Sequence, residues 1–117
     1  YPLRRQRQMC IRDRVENEIS VAGVIPWKEF RINSVNGLNS ILKNTEKGET
    51  IGVFTSGGTI SSMVSEVLKI TNEITVADLN FSVRNTSFSS LLFSNNETSL
   101  LSFNELPHLE GKMITFV

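Results

Sequence analysis

The chain has 117 residues, 39% apolar and 21% charged, which fits one small globular domain and leaves no apolar run long enough to cross a bilayer. The zero net charge is the sum of two opposed parts: residues 1–14 carry five arginines and one aspartate, whereas residues 15–117 carry 7 Lys/Arg and 11 Asp/Glu. A mildly acidic body without a basic face argues against nucleic acid as its ligand. A single cysteine, Cys10, excludes an internal disulfide and a cysteine metal site, so a cytoplasmic setting without metal or cofactor is expected.

The basic stretch has no amphipathic period, no secretory h-region and no cleavage pattern. Its string RQRQMCIRDR resembles a translated sequencing adaptor. Residues 1–14 are therefore expected to be non-native, with the domain confined to 15–117.

In chain order, residues 25–44 read as the first helix. Pro26 suits the first turn, and Trp27, Phe30, Val35, Leu38, Ile41 and Leu42 trace one face at near-3.6 spacing. NTEKGET is a turn by composition. Residues 50–54 read as a short strand, apolar on both faces as a covered parallel strand is. A second helix is expected over 58–69, and TNEITVADLN holds a third, capped by Thr71 or Thr75. Residues 86–93 and 98–103 read as strands joined by an Asn95-Asn96 hairpin turn, and MITFV as a closing strand. Helix, strand, helix and hairpin predict a layered α/β domain with a partly parallel sheet.

The chemistry is expected where the first strand meets the second helix, at Thr55-Ser56-Gly57-Gly58. The first amides of a helix have no internal partner, and the helix dipole adds partial positive charge there. Glycines let a phosphate approach without a Cβ in the way, and Ser56 and Thr55 offer hydroxyl donors. The ordinary alternative is a tight connection with no ligand. A Gly-x-Ser-x-Gly elbow is absent. SGGTI also resembles the nucleophile loop of L-asparaginases, but the later Thr-Asp-Lys set of that family does not follow.

VFTSGGTISSMVSEVL, LNFSVRNTSFSSLLFSNN and LLSFNELPHL, in that order, resemble the C-terminal half of the histidine phosphatase superfamily, the phosphoglycerate mutase-like fold. The matches are Gly57-Gly58, Asn85 with Ser87, and Asn104 with His108-Leu109, spread over residues 26–117. The resemblance implies part of a three-layer domain with a mixed, mostly parallel sheet and flanking helices. It implies a phosphomonoester hydrolase acting through a phosphohistidine on a small phosphorylated substrate, with no cofactor and no membrane or nucleic-acid partner. Ser56 stands where relatives carry their second catalytic histidine. Ser56, Gly57 and Gly58 would contact phosphate, and Thr55 and Asn85 would support the pocket. No RHG motif is present and His108 is the only histidine. The chain alone is therefore expected to be inactive, a C-terminal fragment. The competing expectation is a non-catalytic relative that binds a phosphorylated ligand. His108 is expected to hold the tail, and Trp27 and Phe30 to be core.

Overall fold

The computed structural model describes Arg12, Val15 and residues 22–115. After Val15 come helices α1 (Trp27–Lys43), α2 (Gly57–Val67) and α3 (Glu73–Ser82). A hairpin of β1 (Phe88–Ser94) and β2 (Glu97–Glu105) follows, and then a 3-10 turn at Gly111–Met113.

Helix α1 starts where a proline can start one: Pro26 is its N-cap, and its missing N–H removes a donor that would be unpaired in any case. Asn44 ends it, and Gly48 takes a φ of +87° in the following turn, a conformation glycine adopts without strain. Helix α3 is capped by Asn72, whose Oδ1 accepts from the amides of Ile74 and Thr75 at 2.9 and 3.1 Å. The cap is thus the residue between the two threonines that the sequence offers.

Helix α2 lies against both α1 and α3. Its contact faces are built from small residues. Ser61, Ser62 and Ser65 are fully buried, while Leu38, Val64, Val76, Ala77 and Val83 supply the apolar centre. The hydroxyls of Ser61 and Ser62 donate to the Gly58 carbonyl at 3.0 and 2.8 Å, which removes the cost of burying them. The Ser65 hydroxyl has no partner among the described residues. Ser65→Ala is therefore expected to raise stability by about 1 kcal/mol, because a desolvated donor is removed and no bond is lost. A chemical-denaturation midpoint checks this, and a fall in stability would show that the hydroxyl is satisfied in solution.

A polar network ties the helices at one end. Trp27 Nε1 donates to Glu73 Oε2 at 2.7 Å, and Arg31 reaches Glu73 Oε1 at 2.5 Å and the Ile70 carbonyl at 2.6 Å. Trp27 also stacks on Phe30, with ring centres 5.9 Å apart. Near the other end of the chain, Arg12 lies 3.8 Å from Asp78 of α3, and Val15 is buried.

The two strands are antiparallel, with Ser94 opposite Glu97 and an irregular register between Phe88 and Leu91. Asn95 and Asn96 have φ of +51° and +65°, the pair of left-handed residues that a type I′ hairpin turn requires. Asn104, itself at φ +63°, fixes the hairpin to α3. Its Oδ1 accepts from the Arg84 amide at 2.8 Å, its Nδ2 donates to the Ser82 carbonyl at 2.6 Å, and its amide donates to Ser89 Oγ.

Two expectations are overturned. Among the described residues the sheet has two antiparallel strands, so the three-layer α/β arrangement with a mostly parallel sheet is wrong. The reason lies in residues 50–54. Their apolar run lacks a neighbouring strand to pair with, so they form no strand and are exposed, Phe54 wholly so. The closing segment differs too: residues 111–113 form a 3-10 turn, and Phe116 and Val117 lie outside the described residues.

Candidate functional site

The sequence-derived site falls at the N-terminus of α2. Ser56 is the N-cap, in extended backbone at φ −98° and ψ 165°, and its side chain makes no capping bond. Its carbonyl accepts the first helical hydrogen bond, from Ile60 at 3.0 Å. The amides of Gly57, Gly58 and Thr59 are left without partners among the described residues, as the first turn of a helix dictates. No acidic side chain occupies that turn. Thr55 and Ser56 are exposed beside it, so two hydroxyls and the positive end of a helix dipole share one surface.

Gly58 has a different reason from the one expected. A Cβ on Gly58 would stand 3.2 Å from two ring carbons of Phe30, so its bare Cα faces α1 rather than an incoming anion. Gly57 is buried. Gly58 therefore serves the close approach of α1 and α2, and of both glycines only the amides are candidates for ligand contact.

Asn85 is bonded to the C-terminal segment. Its amide donates to the Thr115 carbonyl and its Nδ2 to Thr115 Oγ1, both at 2.8 Å, which holds the C-terminal segment to the end of α3. His108 lies in the same region, its Nε2 3.1 Å from Thr86 Oγ1 and its ring edge-on to Phe88 at 5.3 Å. The single imidazole is thus engaged on the hairpin side of the molecule. Asn104, matched only as a motif residue, makes two side-chain hydrogen bonds there.

Beside Ser56 opens a groove of about 560 Å³, walled by Leu38, Ile60, Met63, Ile51, Val53 and Leu101. Nothing in the residue pattern alone pointed to it, because it depends on residues 50–55 standing apart from the hairpin. A second cleft of about 540 Å³ lies beside the Arg31–Glu73 pair and includes Lys28, Lys69 and Glu66. Its arginine and glutamate are committed to each other, so that cleft is structural. Among the described residues, no group of histidine, cysteine, aspartate or glutamate is placed to hold a metal. No helix among them is long and apolar enough to cross a membrane.

Comparison with models of protein families, with characterised proteins and with solved structures finds no match in any of the three.

Proposed function

We propose that this chain binds the phosphate of a small phosphomonoester at the N-terminus of α2, as the phosphate-holding portion of a histidine phosphatase-type hydrolase. The observation that carries the reading is the Ser56 N-cap hydroxyl, which makes no capping bond, beside three amides without partners among the described residues. Such a turn suits an anion because its donors and its dipole point outward together. Ser56, with Thr55 beside it, would donate to phosphate oxygens, and the amides of Gly57 and Gly58 would complete the cradle.

Serine at this position donates a hydrogen bond but brings no positive charge, so the site holds phosphate without itself stabilising a strongly charged transition state. The one histidine is engaged by Thr86 and Phe88. The phosphoryl-accepting histidine of the full enzyme would therefore come from outside these 117 residues. The same facts favour a second reading, a relative that binds a phosphorylated ligand and transfers nothing.

Amide NMR titration with inorganic phosphate tests the binding step. Shifts confined to residues 55–59 are expected, and Ser56→Ala should weaken the affinity about threefold to tenfold, the worth of one hydrogen bond to an anion. Uniform small shifts, or an affinity unchanged by Ser56→Ala, would sink the proposal. Turnover of p-nitrophenyl phosphate by a longer chain carrying an upstream histidine, lost when that histidine is replaced, would decide for the hydrolase over the binding-only reading.

A further inference from the structure

We infer that residues 50–55 form the pairing edge of a homodimer, adding antiparallel to the same segment of a second copy. From Thr50 to Thr55 the chain makes no hydrogen bond among the described residues. Ile51 and Val53 are about half exposed, at 47% and 50%, and Phe54 fully so. An apolar run of unpaired backbone is a template for another strand.

Symmetry favours this chain's own segment as that strand. Antiparallel strands related by a twofold axis keep their faces, so the pairing must centre on one residue. Centred on Gly52, it sets Ile51 opposite Val53 of the second copy, once on each side of the axis. Ile51 and Val53 already face the groove, so the four side chains extend one apolar surface. Gly52 then faces its counterpart, and open space lies where its Cβ would stand, which suits the close approach of two backbones. Phe54, on the other face, reaches diagonally over the Gly52 of the second copy.

Charge selects the same register. Glu49 is exposed and has no ion pair among the described residues. Pairing places it opposite Thr55 of the second copy, just before the positive end of that copy's α2, whose first turn lacks an acid. Twofold symmetry makes this contact twice. Residues 50–65 carry no charge, so nothing along the edge repels. The inference needs no ligand, and in it the Glu49 carboxylate of the second copy competes with phosphate for the same end of α2.

Sedimentation and light scattering of the whole chain across the micromolar range test it. A reversible dimer is expected. Gly52→Pro fixes φ near −65°, away from strand values, at the centre of the pairing, and Val53→Lys sets a charged lysine opposite Ile51 of the second copy on each side of the axis. Each should raise the dissociation constant by about tenfold or more with an unchanged helical circular-dichroism signal. Gly52→Cys, in a Cys10→Ser background, should form a disulfide-linked dimer under mild oxidation, because paired Cα atoms lie about 4.5–5.5 Å apart. A monomer throughout, open-ended aggregation instead of a dimer, or a dimer that both edge substitutions leave unchanged would overturn the inference.

Discussion

Glu73→Ala is expected to lower the free energy of unfolding by about 2–3 kcal/mol, among the largest effects of any single surface-accessible position. Glu73 accepts from Trp27 and Arg31 at once, and the Arg31 side chain is only 13% exposed. Removing the carboxylate strands both donors. An exposed pair would lose little, but here Arg31 also holds the Ile70 carbonyl, at the loop between α2 and α3. Glu73→Gln separates the contributions. It keeps one acceptor oxygen for one of the two donors and forfeits the ionic part, so it should cost about half as much. Urea unfolding of the three proteins checks the order, and equal stability of Glu73→Ala and the parent would show the network to be dispensable.

Gly58→Val is expected to cost about 2–3 kcal/mol, whereas Gly58→Ala should stay within about 1 kcal/mol of the parent. Two effects oppose each other. Any side chain lowers the entropy of the unfolded chain and favours the helix over glycine, by up to about 1 kcal/mol for alanine. Against that, its Cβ meets the Phe30 ring at 3.2 Å, and the stack with Trp27 limits how far that ring can yield. Alanine needs a shift of a few tenths of an ångström, so the terms nearly cancel. Valine adds two methyl groups in the same direction, and overpacking wins. A valine variant as stable as the parent would mean that α1 and α2 are not held at this separation.

What the sequence disclosed follows from how local each determinant is. Helix α1 was legible because Pro26 and the apolar period lie within the helix itself, and the expected span brackets the observed one. The hairpin was legible because a pair of asparagines tolerates the left-handed turn that joins two strands. Residues 50–54 misled because an apolar run states only that burial is favoured, while strand formation needs a partner backbone elsewhere. The cap of α3 was sought at Thr71 or Thr75 and lies at Asn72, because all three carry suitable oxygens within a few residues of one another. At the candidate site a helix beginning at the two glycines was legible, one residue later than its observed start, but the reason for Gly58 was not. It depends on Phe30, 28 positions earlier, approaching from the neighbouring helix. The serines of α2 likewise gave no sign of being interior, since serine is found mostly at surfaces.

Asn104 has a consequence for cooperativity. A two-stranded hairpin is only marginally stable by itself in water. One side chain that bonds Ser82, Arg84 and, through its backbone, Ser89 makes opening of the hairpin cost the last turn of α3 as well. The strands thereby inherit the opening free energy of the helices, and amide exchange should treat both as a single unit rather than as a stable bundle with a fraying appendage.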